Sequence, residues 1–312
     1  MNHVAKILIK IVRYICNPKE FLCVLLNIIA PLIKNDESFI KMKWKLCMDY
    51  PLNLENPQTY NEKIQWLKLY DHNPDYIKMV DKIEAKKHVA SILGEEYIIP
   101  TLYVYDSVEE IDFEKLPNQF VMKCSHDSGG VVICKDKEKL DKNNAFERIR
   151  KGLKTNYFYQ NREWPYKNVK PRIIIEEYKE DESGYELKDY KFFCINGKCE
   201  FFKIDFDRQK SHHANYFNRT GVLMPFGEAS CPPDNNRILM IPSNLNEMIN
   251  KAEQIAYYIN NTFVRVDLYN INGQVYFGEI TFYPASGIGR IEPEEWDKVI
   301  GEMIILPYSK LR

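Results

Sequence analysis

One segment of the sequence, residues 263–282, indicates the fold most clearly. It reads Phe263-Val264-Arg265-Val266-Asp267-Leu268-Tyr269-Asn270-Ile271-Asn272-Gly273-Gln274-Val275-Tyr276-Phe277-Gly278-Glu279-Ile280-Thr281-Phe282. Apolar and polar residues alternate on both sides of Asn272-Gly273, a dipeptide typical of tight β-hairpin turns. The pattern predicts two antiparallel strands, Phe263–Tyr269 and Gln274–Phe282.

The register of this hairpin decides where its two carboxylates point. With a loop of only Asn272 and Gly273, residue 266 lies opposite Glu279, and the carboxylates of Asp267 and Glu279 point to opposite faces. A three-residue loop with a left-handed Gly273 forms a bulge and shifts the pairing by one residue. We expect this second register because it leaves an apolar face of Val264, Val266, Leu268 and Ile280. The polar face then carries Arg265, Asp267, Glu279 and Thr281.

Asp267 and Glu279 form a candidate metal site. Two carboxylates at a cross-strand distance of about 5–8 Å repel each other unless a cation lies between them. Mg²⁺ prefers hard oxygen ligands and usually keeps positions open for phosphate oxygens. The alternative is a solvent-facing strand whose acids are paired by Arg265 alone.

Two further helices are predicted upstream. Thr59 and Glu62 have the spacing of a capping box, which opens a helix that runs through Tyr70. A second helix runs from about Val80 to Leu93, and Gly94 is placed to end it.

Short strands are predicted around two turns and one buried run. Phe120–Lys123 and Val131–Cys134 flank the loop Ser125–Gly130, and Asn196-Gly197 joins Tyr190–Ile195 to Lys198–Phe206. Arg172–Ile175 is a continuous apolar run typical of a strand buried on both faces, and the acidic Glu176-Glu177-Tyr178 follows it. These elements predict an α+β fold with antiparallel sheets.

Composition restricts the function classes. The 312 residues are 45% hydrophobic and 28% charged, which predicts a packed core in one large domain or two intimate ones. Forty-three Lys and Arg against 44 Asp and Glu give a net charge of −1, so we expect no nucleic-acid partner. The eight cysteines contain no C-x-x-C pair, which argues against zinc or dithiol chemistry and favours reduced thiols in the cytoplasm.

The first 50 residues predict a helical N-terminal extension. Its uncharged stretch Phe21–Ile33 is too short for a membrane crossing, which needs about 20 residues, and no signal-peptide cleavage pattern follows. Cations flank the apolar residues 7–33, which would suit peripheral contact with the anionic inner face of the membrane. The alternative is an ordinary helix packed on the domain.

Three longer strings resemble one enzyme family, from about residue 50 to the end. They are Asn56-Pro57-Gln58-Thr59-Tyr60-Asn61-Glu62-Lys63-Ile64-Gln65-Trp66-Leu67-Lys68, Lys123-Cys124-Ser125-His126 and Gly278-Glu279-Ile280-Thr281-Phe282-Tyr283-Pro284-Ala285-Ser286-Gly287. The chain resembles the ATP-grasp ligases, and within them the TupA-like branch, named after the teichuronopeptide biosynthesis protein. The resemblance implies an ATP-grasp domain over residues 51–312, with two α+β lobes that clamp ATP between antiparallel sheets.

The resemblance also implies roles for individual residues. Lys82 and Lys123 would bind the phosphates, and the loop Ser125–Gly130 would close over them through the backbone of Ser125, Gly129 and Gly130. The hinge Glu176-Glu177-Tyr178 would read the adenine edge. Asp267 and Glu279 would hold Mg²⁺ with Thr281, where many ATP-grasp proteins have Asn. Lys191 and Arg265 would neutralise the transferring phosphate or the oxyanion.

The implied reaction joins a carboxylate to an amine. The carboxylate attacks the ATP γ-phosphate, and an amine displaces phosphate from the acyl phosphate. Relatives are associated with capsule and other surface-polysaccharide synthesis, which favours a uronic acid or amino acid as the carboxylate. We expect specificity residues in Arg208–Asn218 and Ala285–Arg290.

Two other function classes compete with this interpretation. Asp205-Phe206-Asp207 matches the short D-x-D pattern of metal-dependent glycosyltransferases, which bind nucleotide sugars. A non-catalytic scaffold of polysaccharide assembly, attached through the basic N-terminal segment, would be indifferent to nucleotide. His126 and the pair His212-His213 are candidate metal or acid–base groups, but adjacent histidines on a polar loop are more often solvated.

Overall fold

The computed structural model describes residues 17–307 except 128, 185, 209, 210 and 238. The α-helices are α1 Pro18–Ile29, α2 Asp36–Cys47, α3 Tyr60–Tyr70, α4 Tyr76–Val80, α5 Lys82–Leu93, α6 Lys142–Leu153, α7 Phe158–Asn161, α8 Leu245–Ile259 and α9 Glu295–Met303. The strands are β1 Thr101–Tyr105, β2 Phe120–Cys124, β3 Val131–Cys134, β4 Ile173–Glu177, β5 Asp189–Ile195, β6 Lys198–Phe206, β7 His213–Asn218, β8 Gly227–Glu228, β9 Phe263–Ile271, β10 Gln274–Thr281 and β11 Ile291–Glu292.

Two antiparallel sheets form the framework. The larger has the strand order β10-β9-β5-β6-β7, the smaller has the order β1-β4-β2-β3, and β8 pairs with β11. Each sheet has its own hydrophobic core. One core includes Phe192, Val266 and Ile255, and the other includes Phe120 and Ile149. The predicted α+β fold with antiparallel sheets is confirmed.

The predicted helix boundaries follow their capping signals. Thr59 and Glu62 form a complete capping box at the start of α3. Helix α5 ends at Gly94, whose φ of 110° lies in the region that favours glycine. The apolar run of β4 is buried on both faces, since Ile173, Ile174 and Ile175 are each fully enclosed.

The β9–β10 hairpin has the predicted polar face but reaches it by another route. Its turn is the two-residue Asn272-Gly273, with φ of 52° and 86°, so the three-residue loop predicted from the sequence was wrong. The pairing shifts at Gly278, within the strand, so that Glu279 lies opposite Asp267 and Thr281 opposite Arg265. A side chain at Gly278 would approach the Asp267 carbonyl oxygen to 2.9 Å, which explains why the bulge forms at a glycine.

The N-terminal helices pack on each other and on the body of the protein. Leu26 of α1 and Ala30, which follows the helix, are buried against Phe39 and Ile40 of α2. The buried Arg162 donates to the Ala30 and Ile33 carbonyls, each at 2.8 Å, which ties α1 to the segment after α7. The predicted membrane-contact segment 7–33 lies in the described region only from residue 17 onward. Within the described residues, no helix is long and apolar enough to cross a membrane.

Candidate functional site

A cleft of about 570 Å³ opens between the two sheets. The smaller sheet contributes apolar side chains from β2 and β3, and the larger sheet contributes residues of β9 and β10. The connection from β4 to β5 lies along one side. Lining residues include Ile99, Val121, Ile133, Leu187, Tyr269 and Phe277, with the polar Lys123, Glu176, Glu177, Tyr178, Asp189 and Arg208. An apolar cavity with a few charged groups is the usual form of a small-molecule site.

Lys123 and Glu176 form an ion pair in the wall of the cleft. The Lys123 Nζ lies 2.5 Å from Glu176 Oε2, and Lys86 contacts the other carboxylate oxygen. Lys86 also donates to the Ile99 carbonyl at 2.7 Å. Burial alone would raise the pKa of Glu176, but Lys123 and Lys86 outweigh it and hold the pKa below its ordinary value. Glu176 therefore remains ionised and fixes both lysines.

Lys82 begins α5 and lies beside the acidic end of β10. Its ammonium donates to the Asp127 carbonyl oxygen, and burial lowers the pKa of Lys82 although Glu279 acts in the opposite direction. Lys82, Gly278 and Glu279 line a small recess, and Gly278 also lines the main cleft. Lys82 is therefore near Glu279 at the same end of the cleft.

A row of charged side chains crosses the inner face of the larger sheet. Strand register places Glu279, Asp267, Lys191 and Lys203 side by side on β10, β9, β5 and β6. Lys191 is 5% exposed, and its Nζ lies 2.9 Å from Asp267 and 3.3 Å from Asp205. Burial would lower the pKa of Lys191, but the nearby carboxylates raise it, so this lysine stays charged.

Arg265 joins the predicted acidic residues. Its guanidinium donates to both oxygens of Asp267, at 2.6 and 2.8 Å, and to Thr281 Oγ1 at 3.0 Å. It lies 3.3 Å from Glu279 Oε1. Asp267 is 1% exposed, whereas the Glu279 side chain is 42% exposed. The predicted set Arg265, Asp267, Glu279 and Thr281 thus lies together, with a guanidinium rather than open space between the carboxylates.

These residues fit a hard divalent cation. A carboxylate has about four lone-pair positions, and Asp267 accepts three hydrogen bonds from Arg265 and Lys191, so its Oδ1 can still accept another contact. Glu279 is more exposed, and its contact with Arg265 is longer, at 3.3 Å. Both groups, with the Thr281 hydroxyl, supply the oxygen ligands that Mg²⁺ prefers.

The segment 125–130 is anchored at its start and exposed near its end. Ser125 is fully buried, and its N–H donates to the Arg172 carbonyl at 2.8 Å. Gly129 is exposed and has a φ of 111°, and its carbonyl accepts from Arg148 at 3.0 Å. Gly130 is half-buried, and residue 128 lies outside the described residues. In this conformation Gly129 and Gly130 are the accessible part of the predicted phosphate loop.

The predicted hinge begins later than expected. Strand β4 continues through Glu177 and pairs with β1 and β2, so Glu176 is a strand residue whose side chain is buried. The Glu177 N–H donates to the Pro100 carbonyl at 3.0 Å. Tyr178 is therefore the first hinge residue beyond the strand, at the cleft wall. The acidic residues extend the strand because Lys86 and Lys123 compensate the burial of Glu176.

Several charged residues at the site were missed or assigned elsewhere by sequence reasoning. Arg208 contacts Asp189 and lies 2.9 Å from Asp205, and Arg208 and Asp189 both line the cleft. Lys86 was not predicted as a site residue, although it lies four residues after Lys82 and therefore on the same face of the helix. Asp205 of the D-x-D pattern is buried among cations instead of forming an open pair with Asp207.

Two of the strings that carried the family resemblance are in contact. Side chains of α3 hold backbone carbonyls of the segment after β10. Asn61 donates to Gly289 at 2.9 Å, Gln65 to Ser286 and Gly287 at 3.0 and 2.6 Å, and Lys68 to Ser286 at 2.9 Å. Ala285 and Ser286 have φ of 46° and 55°, and these bonds support that strained conformation.

A buried acid lies beneath the same segment. Ser286 Oγ donates to Glu163 Oε1 at 2.5 Å. Burial raises the pKa of Glu163 to about 7 and lowers the pKa of Lys68 to about 7. Arg265 and Glu279, on the polar face of the β9–β10 hairpin, both influence the pKa of Glu163. Glu163 and Lys68 therefore lie near that face. The contact between Ser286 and Glu163 therefore helps to hold the predicted specificity segment Ala285–Arg290 in place.

A protein-family model matches most of the chain. The model of the TupA-like ATP-grasp family, a class of carboxylate–amine ligases, matches residues 62–305. The chain belongs to the TupA-like ATP-grasp family. No curated protein gives a significant match.

Similar solved structures are ligases of low sequence identity. D-alanine–D-alanine ligase from Bacillus anthracis, complexed with ATP, is 17% identical with a TM-score of 0.40, over 66% of this chain and 55% of that one. L-amino acid ligase from Bacillus licheniformis is 14% identical with a TM-score of 0.45, over 83% and 58%. Phosphoribosylamine–glycine ligase from Thermotoga maritima is 16% identical with a TM-score of 0.40, over 68% and 51%. The chain thus spans little more than half the length of these structures.

Proposed function

We propose that this protein uses ATP to join a carboxylate to an amine, through an acyl phosphate. The observation that carries the proposal is the cleft between the sheets, which is lined by Lys123 and adjoins at Gly278 a small recess lined by Lys82 and Glu279. Lysine charges beside a carboxylate that can bind a metal are the features that phosphoryl transfer requires. Membership of the TupA-like ATP-grasp family supports the same reaction class.

In the proposed complex, adenine occupies the apolar part of the cleft. Val121 and Ile133 from the smaller sheet and Phe277 from the larger would contact the base, and the backbone at Tyr178 would read its edge. The phosphates would extend toward Lys123 and Lys82, where the exposed Gly129 and the half-buried Gly130 can approach them. The buried Ser125 would anchor the loop.

Mg²⁺ would be held by Glu279 and Asp267, with Thr281 nearby, and would neutralise phosphate charge. Arg265 and Lys191 hold Asp267 ionised, and the Arg265 guanidinium, which also contacts Glu279 and Thr281, would stabilise an oxyanion that forms beside it. The substrate carboxylate then attacks the γ-phosphorus, ADP leaves, and the amine attacks the acyl carbon and releases phosphate. Neither step needs a covalent intermediate with the protein.

We further propose a sugar acid or an amino acid as the carboxylate and a role in cell-surface polysaccharide synthesis. Arg208 supports an anionic or polar substrate, because it lines the cleft beside Asp189. The segment Ala285–Arg290 lies at the end of β10 and would contact the acceptor.

The test combines a pooled screen with product analysis. Purified protein is incubated with ATP, Mg²⁺ and mixtures of uronic acids, amino acids and amines, and products are identified by mass spectrometry. The proposal predicts ADP and phosphate in equal amounts, together with an amide product. Hydrolysis of a nucleotide sugar without ATP use would support a glycosyltransferase instead. Absence of any thermal shift with MgATP would support a non-catalytic scaffold, because saturating ligand at about 100 times Kd adds roughly 2.7 kcal/mol to stability.

A further inference from the structure

Helix α1 has an apolar face that the rest of the described protein leaves exposed. Phe21, Leu25 and Ile28 recur at the spacing of one helix face, and their exposed fractions are 47%, 43% and 69%. Leu22 and Ile29 border this row, and Leu32 continues it beyond the helix at 80% exposure. We call this set, Phe21, Leu22, Leu25, Ile28, Ile29 and Leu32, the α1 apolar face.

The opposite side of the same helix is already used for packing. Leu26 and Ala30 are buried against α2, and Arg162 holds the carbonyl of Ala30. The helix is therefore fixed on the body of the protein, with its apolar face directed outward. Contiguous exposed apolar patches of this kind mark sites of interaction with a partner or with a membrane.

The charged residues next to this face in the sequence indicate which kind of partner it contacts. The segment 21–33 contains no charged residue, and exposed Lys34 follows it directly. Residues 1–34 of the sequence contain five cationic side chains, Lys6, Lys10, Arg13, Lys19 and Lys34, and one acidic side chain, Glu20. An apolar row flanked by cations is suited to a lipid surface with anionic head groups, which attracts basic segments and accepts apolar side chains.

We propose that the α1 apolar face lies on an anionic membrane surface without crossing the membrane. The side chains of Leu25, Ile28 and Leu32 would enter the boundary between head groups and acyl chains, while α2 and the body of the protein stay on the aqueous side. Arg290 donates to the Cys47 carbonyl at the end of α2, at 2.9 Å. Through this contact, the segment after β10 is joined to α2, which packs against α1.

The test is sedimentation of the full chain with vesicles. The vesicles consist of phosphatidylcholine alone or with about 30% phosphatidylglycerol, at low and high salt. We expect binding to the anionic vesicles, weakened by salt. Leu25→Gln combined with Ile28→Gln should weaken this binding at least about tenfold, because both side chains would leave the lipid boundary. The matched control is Val222→Gln with Ile305→Gln, which changes apolar residues of 59% and 74% exposure elsewhere and should bind like the unmodified protein.

Several results would overturn the proposal. They are lack of binding to anionic vesicles, equal binding to neutral ones, or equal loss in both double variants. A dimer in solution that only Leu25→Gln with Ile28→Gln dissociates, without vesicle binding, would show that a second copy covers the face. The thermal shift with MgATP should be unchanged in both variants, so failure of this proposal is distinguishable from failure of the proposed ligase activity.

Discussion

Asp267 and Glu279 have the same charge and face each other across one strand pair, but their surroundings differ. Asp267 is buried and accepts hydrogen bonds from Arg265 and Lys191, whereas Glu279 is partly exposed and has a longer contact with Arg265. Removing the Asp267 carboxylate should therefore have different consequences from removing the Glu279 carboxylate. Asp267 stabilises the fold as well as the proposed site, and Glu279 serves mainly the site.

Substitution of Glu279 tests the proposed metal ligand. We expect Glu279→Gln to change the free energy of unfolding by less than about 1 kcal/mol, because exposed ion pairs contribute little. The same change should remove the effect of Mg²⁺ on ATP affinity, measured by calorimetric titration with and without the ion. An unchanged Mg²⁺ effect would exclude Glu279 as a ligand.

Substitution of Asp267 should instead destabilise the protein. Asp267→Asn leaves Arg265 and Lys191 without a full countercharge in a buried position, and loss of one partner of a buried ion pair costs about 3–5 kcal/mol. Urea unfolding followed by circular dichroism measures this loss. A stability close to that of the unmodified protein would mean that the cations relax toward other acids, such as Asp205.

Lys82 offers a clean test of phosphate binding because the same helix carries a matched control. Lys82→Met should weaken ATP binding about 10–100-fold, since hydrogen bonds to charged groups contribute about 1.5–3 kcal/mol. Lys87→Met removes an exposed lysine that forms an ion pair with Glu84. This variant should change the affinity for ATP less than about twofold. Equal affinities for both variants in calorimetry would contradict the assignment.

At the scale of elements, the position of one bulge organises the site. The alternation of polar and apolar residues correctly predicted which side chains of β9 and β10 share a face. The alternation did not predict that the register shifts at Gly278, six residues after Asn272. A bulge at the turn and a bulge at Gly278 both place Glu279 opposite Asp267, so the pattern cannot distinguish them. The choice depends on the close approach of Gly278 to Asp267 and Tyr269, which is a tertiary property.

Gly278→Ala should therefore disturb both stability and binding. The added methyl group would lie 2.9 Å from the Asp267 carbonyl oxygen and 3.2 Å from the Tyr269 ring. We expect a loss of about 1–3 kcal/mol in the free energy of unfolding, as for other overpacked sites. Weaker ATP binding should accompany it, because Gly278 lines the cleft. Wild-type stability and affinity would show that the bulge tolerates a side chain.

Local signals predicted elements well, and long-range contacts were not predictable from them. The capping box at Thr59, the stop at Gly94 and both Asn-Gly hairpins were confirmed. The pairing of Lys86 with Glu176 joins residues 90 positions apart in the sequence. The contacts from α3 to the segment after β10 span more than 200 positions. Neither follows from spacing, since each depends on how helices and sheets pack.

At the scale of the whole molecule, buried ion pairs should make stability sensitive to acid. The pKa of Glu176 is held below its ordinary value, and the same is true of Asp205 and Asp267. Their stabilising effect is therefore complete above an ordinary pKa of about 4 and is lost as the pH falls through their lower values in the folded protein. Thermal unfolding between pH 7 and pH 3, as approximate limits, measures this dependence.

Glu176→Gln provides the comparison. At neutral pH this variant should be less stable by about 3–5 kcal/mol, because Lys86 and Lys123 remain buried without their shared countercharge. The difference from the unmodified protein should begin to shrink below about pH 4, where glutamate in the unfolded chain takes up a proton, and should disappear as the pH falls through the lower pKa of Glu176 in the folded protein. A difference that stays constant with pH would assign the loss to packing rather than charge.

We propose above all that a nucleotide binds in the cleft between the two sheets. Hydrogen–deuterium exchange with and without MgATP tests it most directly, because it reports binding along the whole chain. We predict slower exchange in residues 120–134, in the segment after Glu177 and in β10, with little change in α1 and α2. Absence of protection in all of these segments under conditions where MgATP binds would contradict the account.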